Sequence, residues 1–218
     1  EVGLMYIEIT TRCNMTCDHC CGDYGPGKGK DMEMDVFMKA LDLGYEYISL
    51  GGGEPTMHPR FWEMLGMSIG SEFVDHVWLA TNGTNRATSI ALARMAEKGV
   101  IGCDLSHGDG YHDYDMVGGD VVQAFQKCRT NLRTLPSGDH GDMRNIRTVR
   151  RVIAQGRGAD IPGSEAGCVC SDLVIDVDGN VWGCGCKRRS FGTVDDYEIP
   201  DDYDGDCDGA EREMEEAL

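Results

Sequence analysis

The sequence predicts an α/β fold, parallel strands alternating with helices as in a βα barrel, followed by a small Cys-rich β-hairpin module near the C-terminus. Three observations carry this expectation. Apolar runs of strand length alternate with apolar residues at helical spacing through residues 4–153, and such alternation builds a parallel sheet. Each unusual loop follows the C-terminal end of a predicted strand, where a parallel barrel keeps its chemistry. Two close cysteine pairs, Cys168/Cys170 and Cys184/Cys186, flank a tight turn late in the chain.

Taken in order, Leu4–Ile9 is an apolar run ending in Thr10-Thr11-Arg12, a strand that leads into a cysteine loop. Met34, Phe37, Met38 and Leu41 recur at helical spacing over Met34–Leu43, and Gly44 stops that helix. Tyr47–Leu50 is the second strand. A helix over Phe61–Ile69 follows Pro59, and the strand His76–Ala80 ends in Thr81-Asn82-Gly83. Thr88–Glu97 reads as a helix closed by Gly99, and Val100–Leu105 as the fourth strand, with Ser106-His107-Gly108-Asp109 after it. A helix over Val121–Leu135 stops at Pro136, and Ile146–Ile153 is the fifth strand. Leu173–Val177 is the stretch that could supply a sixth. Cys103 and Cys128, inside a strand and a helix, are expected in the core. Asp176-Val177-Asp178-Gly179-Asn180, between two apolar runs, reads as a hairpin turn.

Composition bounds the rest. At 218 residues and 41% hydrophobic, the chain can bury one good core and carry an appendage. No apolar run approaches membrane-spanning length and no signal peptide opens the sequence, so a soluble cytoplasmic protein is expected. Eleven cysteines in short ligand-like spacings argue for metal in a reducing compartment rather than a disulfide scaffold. The formal charge of −18 is uneven: residues 195–218 hold twelve acids against Arg212 alone and read as a solvated, partly mobile tail. That balance disfavours broad binding to nucleic-acid backbones.

The chemistry begins at Cys13-Asn14-Met15-Thr16-Cys17-Asp18-His19-Cys20. Three thiolates in a CxxxCxxC loop can wrap a four-iron cluster and leave one iron without a protein ligand, although a zinc knuckle or a ferredoxin-like loop could use the same residues. Gly51-Gly52-Gly53-Glu54-Pro55, directly after the second strand, is the companion signal. With both in place, the N-terminal two-thirds of the chain resembles the radical S-adenosylmethionine (SAM) superfamily. The resemblance implies a partial barrel, contracted here because family members usually have six βα units. It implies that Cys13, Cys17 and Cys20 hold a [4Fe–4S] cluster whose open iron chelates the methionine end of SAM, with flavodoxin or ferredoxin as electron donor. His19 stands where the family has an aromatic residue near the adenine. Gly51, Gly52, Gly53 and Glu54 match the segment that meets the methionine amino group, their missing side chains allowing close approach. Thr81, Asn82, Asp104 and Ser106 fall where the family contacts SAM. Cys21 is off the spacing and reads as a small buried neighbour.

Late in the chain, Cys168 and Cys184 stand in a Cys-x10-Gly-x4-Cys pattern that resembles the auxiliary-cluster modules called SPASM and twitch. That resemblance implies one further [4Fe–4S] cluster on Cys168, Cys170, Cys184 and Cys186, with Cys207 a possible extra ligand; a four-cysteine zinc ribbon is the alternative. The domain reading is therefore 1–160 barrel, 161–194 auxiliary module and 195–218 acidic tail. Arg144, Arg147, Arg150, Arg151, Arg157 and Lys187-Arg188-Arg189 form a basic group in an acidic chain. Arginine forks suit phosphate or carboxylate, so Arg147 and Arg150 are candidate anchors for a small anionic or nucleotide-like substrate; pairing with surface acids is the plainer reading. A peptide-modifying maturase, an activator of glycyl-radical enzymes and a non-catalytic iron–sulfur or zinc protein are the other function classes.

Overall fold

A computed structural model describes residues 4–108, 110–128, 146–147, 152–165, 173–200 and 203. In chain order it contains β1 (Leu4–Thr10), α1 (Met34–Leu41), β2 (Tyr47–Gly52), α2 (Phe61–Gly70), β3 (His76–Thr81), α3 (Arg86–Glu97), β4 (Gly102–Ser106), α4 (Gly119–Lys127), β5 (Ile146–Arg147), β6 (Leu173–Ile175), β7 (Asn180–Trp182), β8 (Ser190–Thr193) and β9 (Asp196–Tyr197). All nine strands join one sheet in the order β5-β4-β3-β2-β1-β6-β7-β8-β9. The six from β5 to β6 run parallel, and β7, β8 and β9 fold back antiparallel. The expected α/β class with a mostly parallel sheet is what the chain adopts.

Strand alternation sorts side chains onto two faces. On β1, Met5, Ile7 and Ile9 enter the hydrophobic core, where Phe37 of α1, Met64 of α2 and Phe125 of α4 meet them. Burying one such aromatic contributes about 2–3 kcal/mol, so the helical face is where most of the stability resides. The opposite face is polar. Register puts Tyr6 beside Ser49 and Ser49 beside Trp78, then Ala80 beside Asp104 and Ser106 beside Arg147. Glu8 shares that face, and with a relative exposure of 1% it is a buried carboxylate in the middle of a strand.

Several elements differ from the sequence expectation. The α1 helix ends at Leu41 because Leu43 and Gly44 donate to Ala40 and Leu41 in three-residue turns, and Gly44 takes a left-handed φ of 77°. The Asn85 side chain accepts from the Thr88 N–H, so α3 starts at Arg86 rather than Thr88. Val100 is exposed and β4 begins at Gly102. Cys128 is extended, so α4 ends at Lys127; the rest of the expected helix lies outside the described residues. Both Cys103 and Cys128 are buried, as expected. Only Ile146–Arg147 of the fifth strand is described as strand, and Ile153 instead bridges Glu165.

The sixth parallel strand forms within Leu173–Val177, as β6, and pairs with β1 on the other side of the sheet from β5. The hairpin turn forms where expected, with β6 and β7 antiparallel across it. The start of the acidic segment also belongs to the sheet: Asp196–Tyr197 pairs with β8, and Tyr203 packs edge-on against Phe191. Among the described residues, no helix is long and apolar enough to cross a membrane.

Candidate functional site

The cysteine loop leaves β1 at Thr10 and is anchored at its base. Thr10 Oγ1 donates to Asp31 Oδ1 at 2.6 Å, Arg12 pairs with the same carboxylate at 3.0 Å, and Thr11 N–H bonds Lys30 O. Arg157 then spans the loop. Its guanidinium donates to Cys17 O (3.0 Å), Asp23 Oδ1 (2.7 Å) and Tyr24 O (2.8 Å), and its own N–H to Cys20 O. Gly156, left-handed at φ 52°, lets this segment approach: a Cβ there would lie 2.6 Å from the carbonyl oxygens of Cys20 and Cys21. Arg157, one of the basic group in the sequence, is thus engaged on the loop.

Cys13, Cys17 and Cys20 are each half-buried. Burial, then the neighbouring Cys13 and Cys20, push the Cys17 thiol up to about 11; burial chiefly raises Cys13 as well, with Glu54 and Cys20 adding to it. The raised Cys13 and Cys17 thiols suit a site completed by cationic iron, which inverts that preference. Among the described residues no three His, Cys, Asp or Glu side chains are grouped closely enough to hold a single metal ion. The Tyr24 N–H donates to Cys20 Sγ at 3.3 Å. Cys21 is exposed rather than buried.

The glycine run lies against this loop. Gly53 N–H donates to Thr10 O and Glu54 N–H to Arg12 O, both at 2.8 Å. A Cβ on Gly52 would stand 1.9 Å from Thr10 O, and one on Gly53 2.2 Å from Arg12 O. The close approach that the missing side chains permit is thus taken by the chain's own loop. The Gly52 N–H donates to the Tyr6 hydroxyl on β1. Glu54 is buried and accepts from Thr56 N–H (3.2 Å), Thr56 Oγ1 (2.6 Å), Thr81 Oγ1 (2.9 Å) and Asn82 N–H (2.7 Å). Burial pushes its carboxyl up and these hydrogen bonds oppose the shift. The effect is a clasp between the ends of β2 and β3.

Asn82 extends the clasp to the cysteine loop. Its Nδ2 donates to Asn14 Oδ1 at 2.9 Å, and Asn14 Nδ2 donates to Thr84 Oγ1 at 2.8 Å. Asn14 escaped sequence reading; its only signal is a polar side chain between two ligand candidates. His19 meets Tyr111 and His112 of the loop after β4, ring centroids 5.2 and 4.8 Å away, and neither partner was anticipated. A cavity of about 230 Å³ opens beside them, lined by Asn14, Met15, Cys17, Pro26, His112 and Met116 among others. Asp104 and Ser106 sit on the polar face, Asp104 buried. The Arg147 guanidinium lies over the Trp78 ring at 5.7 Å, while Arg150 falls outside the described residues with Arg144 and Arg151.

Of the second cysteine group, Cys184 is buried and Cys186 half-buried; Cys168, Cys170 and Cys207 lie outside the described residues. The hairpin is organised by Asp176, which accepts from the Asp178 and Asn180 N–H groups, Asn180 Nδ2 and Trp182 Nε1. Burial opposes its ionisation, but those hydrogen bonds hold its carboxyl below the usual range. Lys187 follows Cys186 and reaches back to β1, with Nζ 2.6 Å from Glu8 Oε2, and the Tyr24 hydroxyl donates to the other oxygen of that carboxylate. Arg189 lies over Phe191 and Tyr203, 5.5 Å from each ring.

Comparison with known proteins bears on this arrangement. The family model described as "Radical SAM superfamily" matches residues 7–130. The tungsten-containing aldehyde ferredoxin oxidoreductase cofactor-modifying protein of Pyrococcus furiosus is 37% identical over 108 residues, 44% of this chain and 28% of that protein. The mycofactocin maturase MftC of Mycobacterium ulcerans is 30% identical over 103 residues (45% and 27%), and the GTP 3',8-cyclase of Chlorobaculum tepidum 28% over 109 residues (48% and 32%). The chain thus matches under a third of the length of each of these relatives. Among solved structures, BtrN in complex with AdoMet and 2-DOIA aligns with a TM-score of 0.56 at 17% identity, over 88% of this chain and 78% of that one. Native anSMEcpe with bound AdoMet and the Kp18Cys peptide also gives 0.56, at 14% identity over 90% and 79%. At such identities the likeness is one of fold.

Proposed function

The chain belongs to the radical SAM superfamily, and from that premise we propose that it cleaves SAM reductively and uses the resulting 5′-deoxyadenosyl radical to take hydrogen from a small, anionic or nucleotide-like substrate. The superfamily's cofactors are a [4Fe–4S] cluster and SAM. Cys13, Cys17 and Cys20 would hold the cluster, which when bound supplies the low-potential electron that opens the sulfonium. A flavodoxin or ferredoxin is the proposed donor.

The observation that carries this reading is the half-buried thiol triad, fixed from three sides by Arg157, Asn14 and the glycine run. This chain's residues have separate tasks in it. The backbone carbonyls of Gly51–Gly53, whose N–H groups are engaged elsewhere, accept from the methionine amino group. The Glu54 clasp, with Thr81 and Asn82, keeps β2 and β3 together at that edge. His19, with Tyr111 and His112, shields the adenine side, and Asp104 and Ser106 receive the ribose. Arg147 offers the substrate a charge on the polar face, stiffened by Trp78, and Arg150 a second. Cys184 and Cys186, with Cys168 and Cys170, take one auxiliary [4Fe–4S] cluster. The maturase name of the MftC relative favours a peptide- or protein-modifying maturase as a second reading.

The test is direct. Anaerobically reconstituted, reduced protein given SAM yields 5′-deoxyadenosine and methionine, slowly alone and faster with substrate, and Cys17→Ala yields none. A sample that binds SAM yet forms no 5′-deoxyadenosine with any reductant defeats the reading. Arg147→Gln is expected to weaken productive substrate binding with cluster content unchanged; an unchanged apparent affinity returns Arg147 to surface duty.

A further inference from the structure

Glu8 has no part in the proposed chemistry, yet it is a carboxylate buried to 1% exposure on the polar face of the sheet. A carboxylate at 1% exposure in mid-strand needs compensation, and an apolar residue of similar size would spare the chain that need. Its two partners come from opposite ends of the sequence. Tyr24, four residues after Cys20, donates its hydroxyl to Oε1, and Lys187, directly after Cys186, donates to Oε2 at 2.6 Å.

Each partner is tied in turn to a cysteine site. The backbone N–H of Tyr24 donates to Cys20 Sγ. The backbone N–H of Lys187 donates to Cys184 O at 3.0 Å, with Lys187 itself in the left-handed region at φ 53°, a conformation an L-residue adopts only when its surroundings impose it. A continuous series of bonds therefore runs Cys20–Tyr24–Glu8–Lys187–Cys184.

We propose that Glu8 is a positioning residue that couples the two cysteine sites, setting through Tyr24 the N–H···S bond to Cys20 and fixing through Lys187 the hairpin that carries Cys184 and Cys186. The proposal rests on the radical SAM reading of the first site. A hydrogen bond to a ligand sulfur stabilises the reduced, more negative state of an iron–sulfur centre, so slackening this bond lowers the potential of the centre bound at Cys13, Cys17 and Cys20. No proton or electron need pass along the series; what it transmits is position.

The experiment is a redox titration followed by electron paramagnetic resonance on the reconstituted full chain, the first centre being recognised by the change in its signal on adding SAM. Lys187→Met and Glu8→Gln are expected to lower its midpoint potential with iron content retained, and Lys187→Arg, which keeps a cation within reach of Glu8, to restore it. Tyr24→Phe, the mildest change, is expected to lower it also and decides the matter if the others fold poorly. Midpoints equal to wild type in Tyr24→Phe and in whichever of the other variants hold iron overturn the coupling. A wild-type signal that ignores SAM is a different failure: it overturns the radical SAM reading and the coupling with it.

Discussion

Among the described residues, Arg157 braces the cysteine loop with three guanidinium bonds to groups 133 to 140 residues away in sequence. Arg157→Ala leaves the Cys17 and Tyr24 carbonyls without those donors and is expected to cost about 1–3 kcal/mol by urea unfolding, with weaker iron retention on gel filtration. Arg157→Lys restores the charge but not the fork, so it recovers little. Glu54 makes a second residue-scale prediction. Burial raises its carboxyl, so the folded chain keeps that proton to higher pH than the unfolded chain does. Its contribution to stability is therefore greatest in acid and declines as pH rises from the ordinary carboxylate range towards the raised value. Glu54→Gln, measured by unfolding free energy against pH, is expected to lack that decline and to bind SAM more weakly with the cluster still formed. Cys13, Cys17, Cys20 and the glycine run were legible because their spacing is local; Arg157, Asn14 and Tyr111 were not, since what defines them is a partner far along the chain.

At the scale of elements, the turn from β2 into its following loop tolerates no side chain. Gly52→Ala meets both a φ of 114° and a backbone carbonyl oxygen 1.9 Å from the new Cβ, which no side-chain rotation can relieve. It is expected to lower stability by about 2 kcal/mol or more, read as a fall in Tm, and to impair cluster uptake, whereas Gly66→Ala on α2, where a Cβ meets nothing within 4 Å, leaves both intact. The hairpin has its own pH signature. Asp176 is held ionised below its usual range, so its stabilisation is present above the unfolded carboxylate value and disappears as pH falls through the folded one. Asp176→Asn is expected to cost about 1–2 kcal/mol at neutral pH and nearly nothing in strong acid, by denaturant melts at the two pH values. Strands and helices over Leu4–Glu97 could be read within a few residues because apolar period and caps agree there. The β8 strand, only Ser190–Thr193, and β9 beyond it carry no period long enough to notice.

For the molecule as a whole, the decisive measurement is metal content. Reconstituted protein is expected to hold about two four-iron clusters, and alanine at Cys13, Cys17 and Cys20 together to remove one and leave the other. One cluster in the wild type with zinc beside it would replace the auxiliary centre by a structural ion. The position of β6 could not be read from sequence: Leu173–Ile175 is an apolar run that fits either edge of a parallel sheet, and only its pairing with Met5–Ile7 decides between them. That pairing has a temporal side. During synthesis at roughly 5–20 residues per second, one edge of β1 waits on the order of ten seconds or more for a partner that is made some 165 residues later. The Cys13–Cys20 segment is made at the start of that interval and the Arg157 that braces it only near its end, so the loop gains its last anchor at almost the same moment as the sheet gains its missing strand.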